Sequence, residues 1–390
     1  MKKILSVAVV LCASLFAFAQ ETNNVIQTAV PALNIAPDAV GGGMGDIGVA
    51  TNPDEHSQYW NSSKYAQAKS SAGFAFSFTP WLRSLGVDDI YLGYLSGYYK
   101  ISDMAGTVSA SLRYFSLGDV VLREDLQAIA TSVNPYEMTF DLGYSRLLTE
   151  NFSMGVVLRF IASDLSAKTD ENYYTGYAFT ADINGFYQLP IDIATGESKF
   201  TLGFNLSNIG TKITYDKGEN SNFLPTNLKF GLGYFIPFDD YNRLMISAEV
   251  NKYLVPTRYS RFAEGFNKDD ESTWQMSTDQ YNSISSLKGI GLSFCDAPGG
   301  FAEEMKEINW AVGLEYAYNE QFFGRVGYYN EAYEKGNRKY FTVGAGFKLS
   351  AFKLDVGYVI SVAQTNPLDQ TLRFSLGFDI DGLKALADRE

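Results

Sequence analysis

"TLRFSLGFDI", residues 371–380, alternates without a break: Leu372, Phe374, Leu376 and Phe378 are apolar, and Thr371, Arg373, Ser375 and Gly377 fall between them. A helix returns to the same face about every 3.6 residues and a strand about every two, so this stretch predicts a strand with one greasy and one polar face. The same period recurs in "WAVGLEYAY" (310–318), "LKFGLGYFI" (228–236), "FTLGFNLS" (200–207) and "MGVVLRF" (154–160). Helical spacing fits none of them.

Scanned this way, the chain holds about fourteen such segments, each roughly 8 to 11 residues long, the length that crosses a membrane as a tilted strand. They begin near Phe74, Ile90, Thr107, Glu137, Ser153, Tyr177, Phe200, Leu228, Leu244, Asn309, Phe322, Phe341, Phe352 and Leu372. The connections between them sort by parity. After the second, fourth, eighth, tenth and twelfth segments they are short ("SDMAG", "LLTEN", "PFDDYN", "NEQ", "LSA"); after the third, fifth, seventh and ninth they are long, up to residues 256–307. Outer-membrane barrels pair short periplasmic turns with long outside loops, whereas a soluble sandwich has no reason to sort its loops. Charges such as Arg113, Asp141, Arg159, Glu249, Asp355 and Arg373 fall on the face opposite the apolar set. In a membrane that face lines the lumen. The expected fold is therefore all-β: a transmembrane antiparallel β-barrel of about 14 strands with an N-terminal plug segment.

Composition agrees. An aromatic share of 15% and 35 glycines spread along the chain suit many short strands with tight turns. The chain opens "MKKILSVAVVLCASLFAFAQ", with two lysines, an apolar run too short to be an anchor, and Ala17-Phe18-Ala19, the small-x-small site of a cleaved signal peptide. Cys12 leaves with that leader, so Cys295 has no disulfide partner within the mature chain. The net charge of −13, more acidic still without Lys2 and Lys3, repels nucleic acid, which is not an expected partner. These readings divide the chain into a leader, 1–19; an N-terminal periplasmic or plug segment, 20–70; the barrel, 71–380, with its long extracellular loop at 256–307; and a periplasmic C-terminal tail, 381–390.

Before the first strand, Gly43-Met44-Gly45-Asp46-Ile47-Gly48 spells G-x-G-x-x-G. A dinucleotide turn needs a strand just before it and a helix just after it. Pro37 interrupts the first and Asn52-Pro53 forbids the second, so no cofactor is expected. The glycines Gly41, Gly42, Gly43, Gly45 and Gly48 instead suit a plug packed closely inside a lumen. A plug of this size resembles that of the FadL long-chain fatty-acid transporters, although Asn61-Ser62-Ser63 stands where their Asn-Pro-Ala element would be.

Read with its neighbours the stretch goes further. "APDAVGGGMGDIGVATNPDEHSQYWN" (36–61), "KYA" (64–66), "FTPWLRSLG" (78–86), "YLSGYYK" (94–100) and "SLRYFSLGDV" (111–120) resemble, in order, the PorV (LptO) family of the type IX secretion system. The resemblance implies a FadL-like outer-membrane barrel that is not an enzyme. It implies, as partners, the SprA-type translocon, the C-terminal signal domains of cargo leaving it, the PorU-type sortase that cleaves and attaches that cargo, and outer-membrane lipid and lipopolysaccharide. The alternative on the same fold is a transporter of hydrophobic small molecules.

Such a carrier needs an outside surface more than a reactive centre. Trp81, Leu82 and Leu85 in one odd connection, and Tyr259, Phe262, Phe266, Trp274 and Phe301 in the long loop, are the expected partner-binding residues, because aromatic anchors dominate interfaces. For each of them a place in loop packing or in the interfacial aromatic girdle is the competing reading. Catalytic and metal sites are not expected: His56 is the one histidine, too few for zinc with a single cysteine, and Cys295 has no histidine near it in sequence.

Overall fold

The computed structural model describes residues 24–83, 86–122, 131–165, 174–216, 218, 220–362 and 368–387; the expected leader 1–19 and Leu85 lie outside the described residues. The strands are Ala72–Pro80 (β1), Ile90–Ser102 (β2), Gly106–Leu117 (β3), Val120–Leu122 (β4), Thr131–Val133 (β5), Tyr136–Leu147 (β6), Phe152–Asp164 (β7), Gly176–Ile193 (β8), Gly196–Gly210 (β9), Asn227–Pro237 (β10), Asn242–Tyr253 (β11), Ile308–Tyr318 (β12), Phe322–Asn330 (β13), Lys339–Leu349 (β14), Phe352–Ser361 (β15) and Leu372–Asp379 (β16). All but the β4–β5 hairpin close into one antiparallel barrel of fourteen strands in sequence order, with β16 returning to β1.

The closing seam uses the stretch that predicted the fold. Phe374 and Leu376 sit opposite Phe78 and Phe76, and Ser375 opposite Ser77. Phe74, Phe76, Phe374 and Leu376 are between 36% and 49% exposed on the outer wall. Ser77 and Ser375 meet inside at 2.7 Å, and Arg373 is wholly buried. The apolar face therefore points out and the polar face in, around the whole barrel. In water this would be a very large exposed apolar belt, which a soluble monomer does not carry; in lipid it is the required solvent-facing surface.

Turn chemistry sets which strands pair closely. Between β12 and β13, Asn319 and Glu320 both have positive φ, and Gln321 N–H closes on Tyr318 O at 3.0 Å, the mirror-image turn whose twist matches a two-residue hairpin. Between β10 and β11, Asp239 accepts from the backbone of Tyr241 and Asn242. All the short connections lie at one end and the long ones at the other, so the barrel has a periplasmic rim and an outer rim. The strands start within about four residues of their expected positions, but seven run longer than expected, β8 and β9 most of all at 18 and 15 residues. Leu189 to Asp192 are exposed in succession: this part of the β8–β9 hairpin stands clear of its neighbours below the rim, where neither lipid nor lumen imposes alternation. After β16 the chain turns into a helix, Ile380–Ala387, tied to the start of β1 by Ser71 N–H on Asp381 at 2.6 Å.

Candidate functional site

Residues 24–71 run through the lumen from rim to rim. At the outer end Asn24 donates to Tyr259 O (3.0 Å) and Ala29 N–H to Phe223 O (2.9 Å); at the periplasmic end Gln67 donates to Ser153 (3.0 Å), beside the β6–β7 turn. Irregular backbone inside a barrel must have its polar groups paired, because neither lipid nor bulk water can serve them. The wall supplies those partners. Glu249 accepts Gly48 and Val49 N–H, both at 3.0 Å, and Asn184 accepts Ser63 N–H at 2.9 Å. Ser375 accepts Ala39 N–H at 2.8 Å, and Thr342 accepts Gly45 N–H at 2.8 Å. One peptide group is held from both sides: Glu137 accepts Ala32 N–H at 3.0 Å while Arg113 donates to Ala32 O.

The glycines mark where this segment touches the wall or itself. A Cβ at Gly48 would stand 2.1 Å from the Trp60 ring, at Gly41 2.5 Å from the same ring, and at Gly42 2.3 Å from Arg373. Gly43 faces Gly344 Cα at 3.1 Å. Gly45 has φ +83 and would meet the Tyr328 backbone at 2.9 Å, so both conformation and space require glycine there. Asp38, which caps Gly41 N–H at 2.8 Å, also accepts Trp60 Nε1–H at 2.7 Å and so seats the indole against these glycines.

Ion pairs occupy part of the remaining lumen. Arg159 bridges Asp141 (2.8 Å) and Asp182 (2.9 Å); Arg325 bridges Glu315 (2.6 Å) and Asp355 (2.7 Å); Arg373 reaches Asp46 on the plug at 2.6 Å. Above them lies a chamber of about 230 Å³ lined by Tyr59, Trp60, Trp81, Arg113, Asn205 and Lys229, among others. Its lining mixes aromatic and aliphatic side chains with charged ones, Asp141, Arg159 and Asp182 among them.

The outer rim is dominated by the connection 254–307. Its short helices Thr278–Ser283 and Ser286–Leu292 start at Ser277 and Ser285, whose hydroxyls accept Gln280 and Lys288 N–H. It has a core of its own, Val255, Ala263, Met276, Tyr281 and Ile284, packed on Phe223 of the neighbouring connection and on Ile26 of the N-terminal segment. The residues expected to bind partners divide accordingly. Phe301 is 80% exposed and Phe262 38%. Tyr259, Phe266 and Trp274 are half-buried within the loop, Trp274 donating to Asn267 O at 3.0 Å with its ring 6.3 Å from that of Phe266. Trp81 turns inward, 5.1 Å from the Phe115 ring and lining the chamber, and Leu82 is half-buried at positive φ. Three exposed apolar residues were not singled out from the sequence: Leu287, Phe294 and Met305. Part of their signal was readable, since Phe301 and Met305 recur at i and i+4, but only on a helix not assigned there.

Among solved structures, a TodX monoaromatic hydrocarbon channel mutant is similar over 88% of this chain and 97% of its own, at 9% identity and a TM-score of 0.50. The Pseudomonas putida toluene transporter TodX (91% and 98% coverage, 9% identity, TM-score 0.47) and a Pseudomonas aeruginosa FadL homologue (92% and 100%, 11%, 0.45) are also similar. No curated protein matches the sequence. The fold is that of the FadL-like outer-membrane β-barrels. Within that class the family model for the type IX secretion system protein PorV matches residues 18–260. The chain belongs to the PorV family.

Proposed function

We propose that this barrel is a non-enzymatic carrier in type IX secretion. It takes the C-terminal signal domain of cargo emerging from an SprA-type translocon and presents it to a PorU-type sortase for cleavage and surface attachment. Family membership is the observation that carries this reading. The lumen supports it: the N-terminal segment, bonded along its length to the wall and at its outer end to the rim loops, occupies most of the interior and leaves the outer rim as the accessible surface. Phe262, Leu287, Phe294, Phe301 and Met305 give that rim exposed apolar anchors of the type that nucleate protein interfaces. Tyr259, Phe266 and Trp274 then support the loop, and Trp81 and Leu82 brace the mouth.

The alternative reading, a carrier of hydrophobic small molecules, has the fold likeness and the chamber in its favour, but the chamber's charged lining opposes it. Affinity purification of the tagged protein in mild detergent separates the two. The carrier reading expects a very large outer-membrane channel, a protease and proteins with a shared C-terminal domain to be recovered. Recovery of small apolar molecules without those proteins contradicts it. The leader 1–19 is proposed to be cleaved after Ala19; N-terminal sequencing of the membrane-inserted protein tests the cut.

A further inference from the structure

At the outer rim the long loop ends in a buried knot of charge. Carboxylate oxygens of Asp296, Glu304 and Glu307 lie within 4.8 Å of one another, and the three residues are 0%, 7% and 2% exposed. Lys252, at the end of β11, donates to Glu304 (3.1 Å) and Glu307 (2.5 Å). Lys335, on the connection 331–338, donates to Glu303 (2.7 Å) and Glu307 (3.0 Å). Asn24 of the N-terminal segment also donates to Glu303, at 3.2 Å. Four carboxylates thus share two ammonium groups. Nearby pairs are closed on themselves: Arg338 on Glu331 at 2.8 Å and Lys306 on Glu334 at 2.6 Å.

Asp296 is the member without a cation. Its Oδ2 accepts Thr257 N–H at 2.7 Å and the Thr257 hydroxyl at 3.1 Å, while its Oδ1 is buried with no partner. Arg261 gives Asp296 only its backbone N–H, at 2.9 Å to the carbonyl, and the guanidinium of Arg258 lies over the Tyr281 ring at 4.7 Å. These bonds tie the rising arm of the loop, Thr257 to Arg261, to its descending arm. Ala297 N–H on Glu304 at 2.8 Å continues the tie into the helix Phe301–Lys306.

We propose that Asp296 is a proton-operated latch for the outer loop. Carrying a proton, Asp296 donates from Oδ1 toward the Glu304 and Glu307 carboxylates and holds the two arms together. Ionised, it adds a second uncompensated negative charge to a buried site and is repelled by both, and the arms separate more readily. A metal ion is the less suitable occupant, because Lys252 and Lys335 already take both Glu307 oxygens, and Lys252 and the Ala297 N–H take those of Glu304. Burial first, then the charges of Glu307 and Glu304, push the Asp296 carboxyl up to about 7, against the Thr257 hydrogen bonds that favour the anion.

The direction of the pH effect follows. A carboxyl held above its ordinary value binds its proton more tightly in the latched than in the opened loop. Its stabilisation is complete below the ordinary value of 3.8 and is lost as pH rises through about 7. Glu303 does not confuse that window: burial raises it, but the Lys335 hydrogen bond and charge outweigh this and hold it below its ordinary value.

Hydrogen exchange of amides in 254–307, measured on the full chain in detergent micelles and corrected for intrinsic rate, tests this. Protection is expected to fall by up to about tenfold per pH unit between pH 5 and 7 and to level off above. Asp296→Asn keeps a neutral side chain and is expected to abolish the slope; Asp279→Asn, on the same loop but exposed, keeps it. Should Asp296→Asn fail to insert, Glu304→Gln serves instead and moves the step to lower pH. Flat protection in the parent chain, a step that Asp296→Asn or Glu304→Gln leaves in place, or millimolar calcium restoring full protection at pH 8 through Asp296 overturns the latch.

Discussion

Gly48 and Glu249 show how much of the plug rests on single residues. Gly48 has a ring carbon 2.1 Å from where a Cβ would be, and its N–H lies on a carboxylate across the lumen. Gly48→Val should therefore abolish the folded, heat-modifiable band on cold SDS gels, whereas Gly324→Ala, with open space at its Cβ position, should leave it unchanged. Glu249→Leu removes the acceptor of two buried N–H groups and the partner of Lys229, and should cost about 2–5 kcal/mol in thermal unfolding of the micellar protein. Arg159→Met leaves Asp141 and Asp182 buried without their cation and should cost about 3–5 kcal/mol by the same measurement. The sequence alone excluded a nucleotide turn at these glycines, because Pro37 and Asn52-Pro53 are local facts. It could not tell that Trp60 is the neighbour they make room for. That contact depends on Asp38 holding the indole nitrogen, a bond between residues 22 apart.

Strands were legible and loops only in part, for a physical reason. A strand in a barrel has lipid on one face and lumen on the other, so every second residue reports its environment, and Leu372 to Phe378 could be read without any other information. A loop folds on itself, and its aromatic residues serve its own core as readily as a partner. Trp274 and Phe266 went inward for that reason, while Leu287 and Phe294, aliphatic or lone, came out. The Ser277 and Ser285 caps were the missed signals that place helices in this loop. At this scale the expected outcome concerns the loop as a unit. Replacing residues 262–300 with a short Gly/Ser linker should leave a folded barrel, since the loop core consists mostly of loop residues packed on Phe223 and Ile26, but remove cargo from the co-purified material. Quadruple substitution of Leu287, Phe294, Phe301 and Met305 by serine should do the same with the loop intact. Unchanged cargo recovery in both would exclude the loop as the binding surface.

As a whole the molecule is a FadL-like barrel of the PorV family. Closure of β16 onto β1 leaves no edge in the lipid, and the plug is bonded at both rims of the lumen. What remains is a rigid body anchored in the outer membrane, with a large folded loop on its outer rim. The central claim is that this rim recognises the C-terminal signal domain of secreted cargo, and the most direct measurement uses two purified components. The barrel in detergent micelles is titrated with an isolated cargo signal domain, and binding is followed by light scattering or fluorescence polarisation. Saturable one-to-one binding, abolished by the 262–300 replacement and untouched by Gly324→Ala, is the predicted result; a signal domain that binds neither form, while the folded barrel takes up a hydrophobic solute, would contradict it.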